Sequence, residues 1–288
     1  MTTTLETRAG LRLAAGLCAA ALTLPALAQD RPRILVTNDD GIEATGLAQL
    51  VAALSEIADV VVAAPAKDTS WSGRSKTIPA GMLRLREARI EGAEAAYALE
   101  GTPVDAVHFG LVALGEERAF DAVVAGVNFG VTLGSEAYST GVVGAALEAA
   151  SLGVPAIAVA QDRRAHLFDV ATGVTRDLLQ RWLAEGLAEG VAVSINVPAA
   201  AADNPRGLVV ARLGSPEFAV AGFHKVERDD PRQMWRIKFK KNRRPERETD
   251  LDWYQRGEIV VTPLRADGTA HDALEPLAGW ELSPPARD

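Results

Sequence analysis

The sequence predicts an α/β fold built on a mostly parallel sheet, followed by a smaller strand-rich portion. Short apolar runs alternate with longer segments of helical spacing from Arg33 to Pro198. The apolar runs are continuous rather than alternating, which suits strands covered on both faces. Beyond Pro198 the texture changes to segments rich in Arg, Lys, Asp and Glu with isolated β-type runs.

In chain order, Ile34-Leu35-Val36 is the first strand, bounded by Pro32 and by Asn38-Asp39-Asp40-Gly41. Thr45 is the expected N-cap of a helix carrying Leu47, Leu50, Val51, Leu54 and Ile57 on one face. Asp59 to Ala64 forms the second strand, closed by Pro65, and the less regular stretch 77 to 99 reads as a β-hairpin excursion. Thr102-Pro103 is an N-cap with proline at the first helical position, opening a helix to about Gly115. A strand at Ala122 to Ala125, a helix at Val142 to Leu152 and a strand at Ala156 to Val159 follow. A helix from about Phe168 to Leu187 then leads to the strand Val191 to Val197. Ala199 to Arg206 is small and polar; further β-type runs lie at Met234 to Phe239 and Glu258 to Thr262, and Lys238 to Glu248 reads as a solvated loop.

The 288 residues, 48% hydrophobic and 24% charged, suffice for one large or two small domains with a sizeable core, and a disordered chain is excluded. A net charge of -8 gives no general attraction for duplex nucleic acid or an anionic membrane. Residues 1 to 28 form a separate object: Arg8 and Arg12, an apolar run from Leu11 to Leu27, and small residues at Ala26 and Ala28 before Gln29. This is the pattern of a secretory signal peptide, so the mature chain is expected to start near Gln29, without a stable membrane anchor, and to reside in the periplasm. The single cysteine, Cys18, lies inside that segment, and the mature chain has no disulfide or thiolate metal site.

Ligands of open parallel sheets bind beyond the carboxyl ends of the strands, so three strand-following loops are the candidates for chemistry. In the first, the adjacent acids Asp39 and Asp40 repel each other unless a cation lies between them; they either share a hard divalent ion or serve a helix dipole. The second, Pro65 to Lys76, offers hydroxyls, a glycine and three cations, which suits phosphate oxygens or a plain polar surface. The third, Gly126 to Gly141, carries four glycines before a helix, as close backbone approach to an anion requires; the alternative is a flexible loop. Walker, dinucleotide-fingerprint and nucleophile-elbow motifs are absent from the sequence. His108, His166, His224 and His271 stand singly, without the spacing of a zinc site.

The blocks Ile34 to Ile42, Val61 to Pro65 with Ser70, Gly73 and Ser75, Gly101 to Asp105, Gly126-Val127-Asn128-Phe129-Gly130, Gly141 to Glu148, Ile195 to Pro198 and Val260 to Leu264 resemble the SurE (survival protein E) family of metal-dependent nucleotidases. The likeness runs in order through nearly all of the mature chain, and the N-D-D-G-I and G-V-N-x-G blocks are specific. It implies a Rossmann-like core over residues 29 to 198, a C-terminal β-hairpin extension over 199 to 288 that joins copies into a homodimer or homotetramer, and hydrolysis of nucleoside monophosphates. It also implies one divalent metal, Mg or Mn by hardness, held by Asp39, Asp40, Ser70 and Asn128. Asp39, Asp40 and Asn128 are then the catalytic candidates, and Asn38, Ser75, Thr140 and Gly141 the candidate substrate contacts. Whether Asp39 or Asp40 takes the proton of the attacking water stays open. Phe129 and Thr132 stand where the family usually has Arg and a second Asn, and Val142 where it has Thr, which removes a cation and a hydroxyl. A broad acid phosphatase and a non-catalytic metal-binding relative are the competing functions.

Overall fold

The first strand, β1 (Arg33–Thr37), sends Ile34 and Val36 into one apolar layer and Leu35 into the opposite one, the signature of a strand covered on both faces. The computed structural model to which it belongs describes residues 31–77, 81–165, 168–203, 207–226 and 232–280. The expected signal peptide at 1–28 and the isolated His166 lie outside the described residues.

After β1, helix α1 (Thr45–Ser55) buries Leu47, Leu50, Val51 and Leu54. Thr45 is its first residue and not its cap: Ala44 takes the cap position, its carbonyl accepting from the N–H groups of Leu47 and Ala48, and no side chain bonds there. Strand β2 (Asp59–Pro65) pairs parallel with β1. The expected hairpin is present as β3 (Leu85–Ala88) and β4 (Ala95–Leu99), and β4 joins the sheet parallel to β2. Helix α2 (Pro103–His108) starts with a full capping box: Thr102 Oγ1 accepts from the Asp105 N–H at 3.2 Å, and Asp105 Oδ2 accepts from the Thr102 N–H at 2.9 Å. It continues as a π-helical stretch, Phe109–Leu114.

Strand β5 (Ala122–Phe129) pairs with the other edge of β1. A 3-10 turn, Gly134–Ser139, leads into α3 (Gly141–Ser151), then β6 (Ala156–Gln161), α4 (Asp169–Glu185) and β7 (Val191–Val197). The rest comprises α5 (Ala199–Asp203), β8 (Leu208–Val210), β9 (Phe218–Val226), β10 (Met234–Lys241), α6 (Asp250–Gln255), β11 (Ile259–Arg265) and α7 (Leu274–Ala278). Strands β9 and β10 form a separate antiparallel hairpin. Lys238 to Lys241 belong to this hairpin and not to a loop, because their backbone pairs with Gly222 to Phe218 while the side chains stay in solvent.

The sheet runs β3-β4-β2-β1-β5-β6-β7-β11-β8. From β4 to β7 every pair is parallel, and the order reverses between β1 and β5, the point at which folds of this kind bind ligands beyond the strand ends. Strand β11, the run read from sequence as part of the C-terminal portion, lies antiparallel against β7 within this same sheet. Residues of α1 and α4 fill the layer on one face, and those of α2 and α3 the layer on the other. Among the described residues no helix is long and apolar enough to cross a membrane.

Helix α3 packs directly on the loop that follows β2. A Cβ on Gly144 would stand 2.1 Å from the Gly73 carbonyl oxygen, far inside contact distance. Gly144→Ala should therefore cost about 1–3 kcal/mol, the usual penalty for overpacking a rigid site. Gly173→Ala in α4, where nothing lies within 4 Å of the new methyl, should gain about 0.5–1 kcal/mol from the helix preference for alanine. Urea unfolding of the two variants beside the parent chain checks the pair.

Candidate active site

The loop after β1 and the end of β5 flank the reversal of strand order, and they carry Asp39, Asp40 and Asn128. Asp39 is buried, and its Oδ2 accepts the N–H of Gly141 at 2.9 Å, at the amino end of α3. A Cβ on Gly141 would stand 2.6 Å from the Cβ of Asp39, so glycine is what lets the helix end reach the carboxylate. The anion met by the glycine-rich turn is thus the protein's own. Oδ1 of Asp39 is buried with no hydrogen-bond partner, as is Oδ1 of Asn38, whose amide donates to the Gly41 carbonyl at 2.8 Å.

Asp40 is half-buried, and its Oδ2 accepts the Phe129 N–H at 2.9 Å, tying the first loop to the end of β5. The pairing register of β5 against β6 shifts between Ala125 and Asn128, a bulge that re-aims the side chains at the strand end. Asn128 donates its amide to the Gly130 carbonyl, which leaves its Oδ1 as the free acceptor. Ser70 is half-buried on the loop after β2; its N–H donates to Asp68 Oδ1 at 2.7 Å. That loop is tied to the first by the Thr69 N–H donating to the Asp39 carbonyl at 2.8 Å.

Burial, reinforced by the neighbouring Asp40 charge, pushes the Asp39 carboxyl up to about 7, against the opposing N–H groups of Gly141 and Val142. Burial also raises Asp40, with Asp68 adding to the rise and the Phe129 N–H and Arg163 opposing it. A buried and a half-buried acid whose ionisation is disfavoured, one with an unpartnered oxygen, suit a hard divalent cation. Asp39, Asp40, the Ser70 hydroxyl and the Asn128 amide oxygen are the oxygen donors that could hold such an ion. Among the described residues no three His, Cys, Asp or Glu gather at one point.

The candidate substrate contacts are placed less simply. The Thr140 hydroxyl donates to the Ala137 carbonyl at 2.9 Å, and the Gly141 N–H is taken by Asp39. Ser75 is exposed, its carbonyl accepting from Thr102 Oγ1 at 2.8 Å. Of the three cations read in this loop as suited to phosphate, two are engaged elsewhere: Arg74 Nε and Lys76 Nζ each donate to Glu148 of α3 at 2.6 Å. The His108 ring nitrogen Nε2 lies 2.7 Å from the same carboxylate. Burial alone would disfavour the Glu148 charge, but Lys76, Arg74 and His108 outweigh it and hold the group down at about 2. This cluster fastens the Ser70 loop to α3. The sequence signal for it was a lone acid in the otherwise apolar run Gly141 to Ser151.

Two departures from the family pattern face inward. Val142 is fully buried in the α2/α3 layer. Thr132 is buried and donates both its N–H (2.7 Å) and its hydroxyl (3.2 Å) to Asn196 Oδ1 on β7. Phe129 is 41% exposed at the rim, its ring 6.4 Å from that of Phe168.

Residues 34–219 match the protein family described as Survival protein SurE. The chain belongs to the SurE family. It is 37% identical over 248 residues to the 5'/3'-nucleotidase SurE of Edwardsiella ictaluri, an alignment covering 86% of this chain and 95% of that protein. It is 34% identical over 251 residues to the 5'-nucleotidase SurE of Aliivibrio fischeri, covering 86% and 94%. The crystal structure of the SurE protein from Aquifex aeolicus superposes with a TM-score of 0.76 at 29% identity, covering 87% of this chain and all of that one. The mostly parallel sheet with helices on both sides and the C-terminal hairpin are thus those of a SurE fold.

The raised Asp39 carboxyl fixes the sign of a pH effect. The folded chain keeps a proton on Asp39 that the unfolded chain releases, so the metal-free protein loses stability as pH rises from about 4 to about 7. Asp39→Asn abolishes that loss. In a chelating buffer its melting temperature should exceed that of the parent chain at pH 8, and the gap should shrink at pH 4.5. Differential scanning calorimetry at the two pH values checks both arms.

Proposed function

We propose that this SurE-family chain is a phosphomonoesterase that hydrolyses nucleoside monophosphates to nucleoside and phosphate. The observation that carries the reading is the buried Asp39, with one unpartnered oxygen, next to Asp40 at the sheet's reversal point, in a chain whose relatives include a 5'/3'-nucleotidase and a 5'-nucleotidase.

The side chains of Asp39, Asp40, Ser70 and Asn128 would hold a divalent ion, which would supply Lewis acidity toward the phosphoryl oxygens and lower the pKa of the attacking water. The chain's own residues do the positioning. The amino end of α3 fixes one oxygen of Asp39 and leaves the other free. The Phe129 N–H does the same for Asp40, so both carboxylates are held before any ligand arrives. The Asn128 amide, turned by its bond to Gly130, offers oxygen and not nitrogen. The water oxygen bonds to phosphorus as the ester P–O bond breaks, one proton of the water passes by way of solvent or a site carboxylate to the departing nucleoside oxygen, and the products are the nucleoside hydroxyl and phosphate.

Phosphate release from a panel of nucleoside monophosphates and from p-nitrophenyl phosphate, with and without Mg or Mn, tests the reading. Asp39→Asn and Asp40→Asn should lose most turnover and demand more metal, because each removes a negative ligand charge. Asn128→Ala should lose less, and Ser70→Ala least, since water can replace a hydroxyl ligand. Wild-type turnover in Asp39→Asn at an unchanged metal requirement would overturn the assignment. A preference for p-nitrophenyl phosphate over every nucleotide would favour a broad phosphatase.

The same reading includes export to the periplasm, supported by the N-terminal residues, and assembly into a homodimer or homotetramer, supported by the hairpin β9–β10. That hairpin leaves Phe218, Val220, Phe223, Trp235, Ile237 and Phe239 exposed. Native mass spectrometry of the protein made in a bacterial host reads both. The expected result is an assembly of two or four chains, each beginning at or near Gln29; a monomer, or chains retaining Met1, would remove the corresponding part.

A further inference from the structure

We propose that Arg163, on the turn between β6 and α4, is a substrate-binding residue that grips the phosphoryl group at the rim of the carboxylate pair. The inference rests on the phosphomonoesterase reading and extends it to a cation that reading does not use.

Phe129 is held from both sides. Its N–H donates to Asp40 Oδ2 at 2.9 Å, and its carbonyl accepts from Arg163 Nε at 2.8 Å. One residue's backbone therefore separates the guanidinium from the Asp40 carboxylate, a span of no more than about 10 Å given standard bond lengths. Only Nε is used in that contact. Arg163 makes no ion pair at hydrogen-bonding range among the described residues, and its side chain is exposed. The two terminal nitrogens remain as a planar donor fork, the geometry that suits phosphate oxygens. The Arg163 charge also acts on Asp40 and on Asp68, so it faces the first and second loops together.

Charge bookkeeping across the site calls for such a group. Two carboxylates offset one divalent cation, and a phosphomonoester then brings further negative charge. Arg74 and Lys76, two of the three cations that the loop after β2 offered for that purpose, are bound to Glu148, which leaves Lys67 of that loop. Position 129, at the rim, holds an apolar ring and supplies no charge. Arg163 places its charge at the carbonyl of that very residue, from a different loop.

The residues on either side of Arg163 are anchored. On one side of Arg163, the Asp162 N–H donates to the Val197 carbonyl at 2.9 Å, and the Asp162 carboxylate accepts from the hydroxyl of Tyr254. On the other, Arg164 donates its N–H and its Nε to Asp162 Oδ1 at 2.9 and 3.0 Å. A short rigid turn with both neighbours pinned lowers the entropy lost when the arginine meets its ligand.

The test compares the parent chain with Arg163→Ala and Arg163→Lys, loaded with Mn. Steady-state kinetics on a nucleoside monophosphate give KM, kcat and the inhibition constant of inorganic phosphate, and calorimetric titration with inorganic phosphate gives affinity without turnover. In Arg163→Ala, KM and the phosphate inhibition constant should rise together by about tenfold, the effect of losing one charge-assisted hydrogen bond. The melting temperature should hold, and Arg163→Lys should recover part of the affinity. Unchanged phosphate affinity in Arg163→Ala, by titration or inhibition, would overturn the proposal, as would an affinity loss matched by a collapse of the melting temperature. A parent chain that binds phosphate but hydrolyses no monoester would overturn the phosphomonoesterase reading alone, and the titration would still decide on Arg163.

Discussion

The hydrogen bond from the Gly141 N–H to Asp39 Oδ2 joins the amino end of α3 to the carboxyl end of β1, and the rest of the site depends on it. It directs a helix dipole at a carboxylate whose charge burial disfavours, and so opposes part of that cost. It also sets the position of α3 along its axis. That position brings Gly144 against Gly73 and lets Glu148 collect Arg74, Lys76 and His108. A loop that would otherwise move freely, with Ser70 on it, thereby acquires a fixed place. The outer supports follow the same logic: Asn196 holds the Thr132 backbone, and buried Asp250 accepts from the Gly134 and Gly214 N–H groups at 2.6 and 2.8 Å. The glycine-rich turn is therefore restrained at both of its ends.

Much of this was legible in the sequence because both faces of the sheet are covered. Strands such as Ile34 to Val36 and Val191 to Val197 then appear as unbroken apolar runs, and the loops after them stand out by contrast. The paired acids declared themselves by their mutual repulsion, and the Thr102 cap by its proline. What escaped was whatever depends on partners far apart in the chain. Nothing local says that Arg74 and Lys76 are spent on a glutamate more than 70 residues away, or that the Gly141 N–H serves Asp39 across 102 residues. Thr45 had the right chemistry for a cap but sits one residue inside the helix, because the turn at Gly41 brings the Ala44 carbonyl into line first. The charged run at Lys238 looked like a loop because a hairpin standing clear of the core has no buried face to impose apolar alternation.

The departures at positions 129, 132 and 142 have different weights once placed. Val142 lies in the core and Thr132 in a buried network with Asn196 and Ser194, so both are answered by packing within the fold. Phe129 alone reaches the rim. Its backbone, and not its ring, does the work that ties Asp40 to β5. A change of side chain there alters the charge at the rim of the site without loosening the carboxylate pair.

The position of β11 carries a consequence for how such a chain is made. Its partner β7 ends at Val197, yet β11 does not begin until Ile259, after the hairpin β9–β10 has intervened. While the chain grows from its N-terminus, the parallel sheet from β4 to β7 has all its sequence available, but β7 remains an unpaired, apolar edge. Such an edge is a template for association with other chains until its own strand arrives. Closing that gap is a long-range step that comes late in synthesis. A chain that emerges N-terminus first therefore passes through an interval in which the sequence of β4 to β7 is complete, while both the partner strand of β7 and the Asp250 restraint on the glycine-rich turn are still to come.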